Sequence, residues 1–183
     1  MTPEAAAARV VQHALSRPPT LGAGRLVCVD GPAGSGKSTL AEAVAARTRA
    51  QVVHMDDLYG GWDGLLWVAD RVERLLRPLA TGLGGDWQRY DWPTGRFAEW
   101  HRVRPGGLLV LEGVASGSRV WAGLTTTLVH VEAPRSVRLR RGLERDGVEQ
   151  AEHWRRFMVL EDLVLARERT RSRADLVVPT RDK

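Results

Sequence analysis

Apolar residues along this chain switch between two spacings, and the switching predicts a layered α/β protein. Ala7, Val10, Val11 and Ala14 recur at helical spacing between Pro3 and Arg17, and Pro18-Pro19 stops the pattern. Leu26-Val27-Cys28-Val29 is an apolar run without period, which reads as a strand buried on both faces. A glycine-rich turn follows at once. A second helical pattern then runs from about Lys37 to Arg49, with Leu40 and Val44 facing inward. Gln51 to Met55 predicts a second strand, ending in the pair Asp56-Asp57. Leu65, Ala69, Val72, Leu76 and Leu79 mark a helix that Asp63 could cap. Leu108 to Leu111 and Thr126 to Val131 predict buried strands, and Pro134 opens a helix over Arg135 to Arg145. Trp154, Phe157, Met158, Val164 and Leu165 form the core stripe of a helix from about Glu149 to Thr170, and Ala174 to Val178 is the last strand. Strands alternating with helices in this way imply a three-layer sandwich around a mostly parallel sheet of about five strands.

Residues 81–107 do not fit either spacing. They are rich in glycine and carry Trp87, Trp92 and Trp100, and we expect a long irregular segment. A loop of that length inside a compact domain is more often a binding segment than a plain connection. Within it Tyr90 and Trp92 flank Asp91, so aromatic faces could stack a planar ring while the carboxylate accepts hydrogen bonds from hydroxyls. Tryptophans stapling a loop to the surface are the plainer account.

The turn after the first strand carries the clearest chemistry. Gly31, Gly36, Lys37 and Ser38 fit the P-loop spacing G-x-x-x-x-G-K-[ST]. Glycines let backbone N–H groups turn inward around phosphate oxygens, and the N-terminus of the new helix adds free amides and the positive end of its dipole. Gly31, Ala33, Gly34, Ser35, Gly36, Lys37, Ser38 and Thr39 are therefore the candidate ATP-binding residues. Lys37 should reach the outer phosphates, and Ser38 should ligate Mg2+. Lys37 carries extra weight because the only other lysine is Lys183, the chain otherwise using arginine. Asp56 and Asp57 should point toward the same crevice, since ligands sit beyond the carboxyl ends of parallel strands. Val110-Leu111-Glu112-Gly113 has the shape of a Walker B strand and puts Glu112 near the Mg2+ shell. Arg138, Arg141 and Arg145 recur at steps of three and four on one predicted helix. They form either a solvated basic face or a phosphate-clamping lid over about residues 135–150.

Length and composition narrow the setting. The 183 residues suit one domain over 1–183, and 43% hydrophobic with 27% charged residues is that of a soluble globular protein. No apolar run approaches a membrane span and the N-terminus lacks the order of a signal peptide, so no membrane partner and a cytoplasmic location are expected. Cys28 is the only cysteine, which excludes a disulfide framework and reads as a small core residue. The net charge of +5 suits a nucleotide as well as a nucleic acid.

With these pieces placed, the chain resembles the uridine kinase and phosphoribulokinase-like group of P-loop kinases. The resemblance rests on the P-loop, Met55-Asp56-Asp57-Leu58-Tyr59, Tyr90-Asp91-Trp92-Pro93, Val110-Leu111-Glu112-Gly113 and, more loosely, Arg140-Arg141 and Arg145-Asp146 with the later Ala174 strand. It implies that Asp56 is the general base, that Asp91 holds ribose hydroxyls and that Arg141 and Arg145 touch phosphates. Tyr59, Tyr90, Trp92 and Glu112 join Asp56 and Asp91 as candidate acceptor-side residues. Two departures stand out: the family's uracil-reading histidine and tyrosine have no match, and its E-R-G-R lid ending is replaced by Glu144-Arg145-Asp146-Gly147. Asp30 to Thr39 is also similar to the opening of cytidylate kinases.

The expected activity is phosphoryl transfer from ATP to a hydroxyl of a small acceptor, most readily a nucleoside, with Mg2+ as cofactor. Other acceptors are a nucleoside monophosphate, a sugar, a vitamin precursor or an antibiotic hydroxyl. The rival from another class is a nucleotide-switched module binding nucleic acid or a protein. The enzyme is favoured because Asp56 and Asp91 fall where an acceptor would lie and acids intersperse the arginines, which makes nucleic acid an unfavoured partner. The sequence leaves a homo-oligomer open.

Overall fold

Neighbouring residues of one strand feed two separate cores. In the computed structural model, which describes residues 1–180, the apolar run lies in β1 (Arg25–Asp30). Leu26 and Cys28 join one hydrophobic cluster and Val27 and Val29 the other, because successive strand side chains point to opposite faces. Burial pushes the Cys28 thiol up to about 12, so it is an inert core group. The sheet order is β2 (Gln51–His54), β5 (Leu108–Glu112), β1, β6 (Thr127–Glu132), β7 (Leu176–Pro179), and every paired neighbour runs parallel. One face is covered by α1 (Pro3–Ser16) and α2 (Lys37–Thr48), through Ala7, Val10, Ala14, Leu40 and Val44. The other is covered by α3 (Ala69–Ala80) and α5 (Ala151–Glu168), through Val72, Leu76, Phe157 and Val164. Burying a side chain of this kind contributes about 1.5–3 kcal/mol, so both layers are held by several such residues. No helix among the described residues is long and apolar enough to cross a membrane.

Three elements differ from the sequence reading. Residues 81–107 are an antiparallel hairpin, β3 (Gly85–Asp91) and β4 (Arg96–Val103), rather than an irregular loop. Its strands mix aromatic and polar residues on both faces, so they lack the one-sided alternation by which a half-buried strand is recognised. The loop Trp92-Pro93-Thr94-Gly95 closes it, with Gly95 left-handed at φ 66° and its N–H donating to the Asp91 carbonyl at 2.8 Å. The helix expected from Leu65 starts at Ala69, after a 3₁₀ turn at Gly64–Leu66, and Asp63 makes no side-chain capping bond. The helix expected over 135–145 forms as α4 (Arg135–Asp146), but its basic face is not uniformly solvated, because Arg138 is buried. Parallel pairing sends the carboxyl ends of β1, β2, β5 and β6 to one edge, and the predicted acids and P-loop gather there.

Candidate active site

The P-loop is pinned from three sides before any phosphate is considered. Gly31 has φ 134°, and a Cβ there would lie 2.0 Å from the Val131 carbonyl oxygen of β6, so only glycine lets the chain leave β1 here. The Gly31 N–H donates to Asp30 Oδ1 at 2.6 Å, and the Ala33 N–H donates to Glu161 Oε2 of α5 at 2.6 Å. Those two amides are engaged within the fold, while Ala33 itself lines the cleft. Gly36 is left-handed at φ 96° and caps α2, so the amides of Lys37, Ser38 and Thr39 open its first turn, where a helix has no acceptors for them. Ser35 Oγ is buried with no hydrogen-bond partner among the described residues, as suits a loop built to meet a polar ligand. Lys37 is buried rather than exposed, and its Nζ donates to the Pro32 carbonyl at 3.0 Å.

Ser38 and Glu112 meet at the edge of the cleft. The Ser38 Oγ–H donates to Glu112 Oε1 at 3.0 Å, and His54 Nδ1 lies 2.5 Å from the same oxygen. Burial alone would raise the Glu112 carboxyl, but the His54 bond, the Lys37 charge and the Ser38 hydroxyl outweigh it and hold the group below the usual range. Asp56 and Asp57 sit in a 3₁₀ turn, Met55–Asp57, instead of at a strand end, in keeping with the depletion of aspartate from strands. Asp56 opens onto the cleft. The side chain is exposed to the cleft's solvent, and the surrounding cleft walls strip part of its hydration and push its carboxyl up, with Glu112 and Asp57 adding to the rise while Lys37 and Arg145 oppose it.

The arginines divide by depth. Arg138 is buried and pairs with fully buried Glu161 at 2.6 Å, so α4, α5 and the P-loop share one ion pair. Arg141 Nη1 donates to the Gly34 carbonyl at 3.2 Å and to Thr180 Oγ1 at 3.4 Å, which places it along the loop. Arg145 is held by both oxygens of Asp146, at 2.7 and 2.9 Å, and lies over the Trp154 ring. Lys37, Ser38, Asp56, Glu112, Arg141 and Arg145 all line one cleft of about 1350 Å³.

Tyr59, Tyr90, Asp91 and Trp92 do not line that cleft. Tyr59 is a core residue: its ring is buried and its hydroxyl donates to the Val114 carbonyl at 2.6 Å, so the structure does not bring it to the candidate acceptor side. Asp91 accepts from Arg89 Nη1 at 3.1 Å and from the Thr94 hydroxyl, so its carboxylate ties the hairpin turn. Trp92 does reach the site, donating its indole N–H to the Asp56 carbonyl at 3.1 Å. Its ring meets Tyr90 and Trp62 edge-on.

No protein-family model matches the sequence, and no curated protein matches it. Among solved structures the chain is similar to a possible uridine kinase of Bacillus stearothermophilus, at 21% identity and TM-score 0.64 over 95% of this chain and 97% of that one. It is also similar to a candidate fructose transport system kinase of Silicibacter, at 22% and 0.60 over 98% and 100%. A candidate P-loop kinase with a circular permutation from Saccharomyces cerevisiae follows at 12% and 0.59 over the full length of both. The chain shares the fold of these structures, a P-loop α/β sandwich with a five-strand parallel sheet flanked by helices.

Within this fold, four residues escaped the sequence reading. Asp30 accepts from the backbone N–H groups of Gly31, Ala115 and Gly117 and so ties the P-loop to the turn after β5; burial, only partly offset by those bonds, pushes it up to about 6. Its signal was an acid closing an otherwise apolar strand. Glu161 falls on the same helical stripe as Met158 and Val164, and a charge on a core stripe needs a partner. His54 was legible only as a strand residue. Thr180, which donates to the Ser35 carbonyl at 2.7 Å, left no mark in the sequence.

Proposed function

We propose that this protein transfers the γ-phosphoryl group of ATP to a hydroxyl of a small acceptor, with a nucleoside as the favoured class. The observation that carries this reading is the convergence of Lys37, Ser38, Glu112 and Asp56 on one cleft with Arg141 and Arg145. In the transfer the bond from the γ-phosphorus to its bridging oxygen breaks, and a bond to the acceptor oxygen forms. Asp56 takes the hydroxyl proton, and a carboxylate made more basic by its surroundings suits that role near neutral pH. Lys37 and the two arginines stabilise charge on the phosphoryl oxygens, which is most of what a loose transition state asks of a protein. A hydroxyl and a carboxylate 3.0 Å apart are an oxygen donor set suited to Mg2+, which when bound there neutralises phosphate charge.

Two similar structures, a possible uridine kinase and a candidate fructose transport kinase, support a small hydroxylic acceptor. The nucleoside rests on the resemblance carried by the Tyr90-Asp91-Trp92 motif, which lies outside the cleft and is joined to it by the bond from Trp92 to the Asp56 carbonyl. A ribose hydroxyl would take the place of Thr94 on Asp91. Asp91→Asn should therefore raise the acceptor KM while leaving the ATP dissociation constant near that of the parent. A shift in the ATP constant alone would assign the hairpin to the donor side.

A thermal-shift screen of nucleosides, sugars and other hydroxylic metabolites, run with Mg2+ and a non-hydrolysable ATP analogue, tests the reading. The analogue should raise Tm, and a nucleoside should raise it further. A protein that the analogue does not stabilise would refute the kinase, and a response confined to sugars would replace the nucleoside.

A further inference from the structure

We infer that His54 is a positioning residue, which fixes Glu112 in the orientation the site needs by donating its Nδ1–H to Oε1. The inference rests on the kinase reading above and concerns a residue that reading does not use. Its origin is the sheet register. His54 and Glu112 are paired neighbours on the parallel strands β2 and β5, so the ring stands beside the carboxylate at 2.5 Å. An ionised carboxylate can only accept, so the bond selects the tautomer with hydrogen on Nδ1. The other ring nitrogen belongs to a side chain that is 42% exposed.

Oε1 takes the Ser38 hydroxyl as well, at 3.0 Å. A hydroxyl whose proton points at a carboxylate presents its lone pairs elsewhere, which is the state in which Ser38 can ligate a cation. His54 thus acts at one remove. It anchors Oε1, Oε1 orients Ser38, and Oε2 keeps no protein donor among the described residues. Without the ring, the Ser38 hydroxyl would be the one remaining protein donor to this carboxylate among them. Outer partners that orient ligating carboxylates typically change metal affinity by about 10- to 100-fold when removed.

The test compares His54→Leu, which deletes the donor, with His54→Asn, whose amide can replace it. The half-exposed position lets both fold, and each is titrated calorimetrically with the non-hydrolysable ATP analogue, with and without Mg2+. His54→Leu should weaken the Mg2+-dependent part of binding about 10-fold or more and leave metal-free binding within about 2-fold, while His54→Asn keeps most of the Mg2+ effect. Equal Mg2+ dependence in His54→Leu and the parent, or an equal loss in both variants, would overturn the role. A proton NMR spectrum of the parent without nucleotide should show a strongly downfield imidazole N–H resonance that His54→Leu abolishes. Its absence would remove the hydrogen bond itself. A parent that fails to bind the analogue at all refutes the kinase reading instead, and the resonance then still decides the His54 bond.

Discussion

Asp56→Asn is expected to lower kcat by about 10² to 10⁴ while barely altering ATP affinity, since that is the worth of a positioned base. The carboxylate opens onto the cleft beside the charges of Lys37 and Arg145, and Trp92 holds its backbone carbonyl, so the turn is fixed while the acid stays available. Its pKa is raised, and a base works only when ionised. The parent rate should therefore fall as pH drops through that raised value, and Asp56→Asn should lose this acidic limb. Asp57 is half-buried beside His54 and Arg89 and does not line the cleft. Asp57→Asn should accordingly leave kcat within a few-fold. A larger fall in Asp57→Asn than in Asp56→Asn, with both proteins folded, would exchange the two assignments.

The second large effect is expected at Lys37. Replacing it by methionine, which keeps most of the volume, should weaken binding of the ATP analogue and reduce kcat by at least about 10² to 10³, the usual cost of removing one group that stabilises transition-state charge. Its burial adds a structural consequence. The Lys37 charge acts on Asp30, Asp56, Glu112 and Glu161, and without it these acids repel one another with less compensation, so Tm should fall too. Steady-state rates and calorimetry on the same preparation separate the two effects, and turnover at the parent level would remove the P-loop from the chemistry.

Much of this was readable in the chain because both cores and the P-loop depend on local pattern. Leu26 to Val29 is apolar at every position because both faces of β1 are buried, and the glycine spacing after it reports backbone geometry that few other residues can adopt. The hairpin was not readable. Its ring pairs Trp87 with His101 and Tyr90 with Phe97 sit among polar cross-strand bonds of Gln88, Arg89 and Glu99, so no clean alternation marks its strands. The place of Tyr59 was hidden for the opposite reason, since a hydroxyl on a motif gives no sign that its ring lies in the core with Val114 as its acceptor. Long-range polar pairs such as Arg138 with Glu161 and His54 with Glu112 join residues far apart in sequence, and no local spacing encodes them.

The central claim is the transfer of phosphorus from ATP to an acceptor oxygen at this cleft, and phosphorus NMR of the reaction tests it most directly. With Mg2+, ATP and the acceptor that gives the largest thermal shift, the parent should convert the γ-phosphate signal into that of a phosphate ester on the acceptor, with one ADP formed per ester. Asp56→Asn should do so at least about a hundredfold more slowly. ADP accompanied only by inorganic phosphate, at a rate indifferent to the acceptor and to Asp56, would contradict the account.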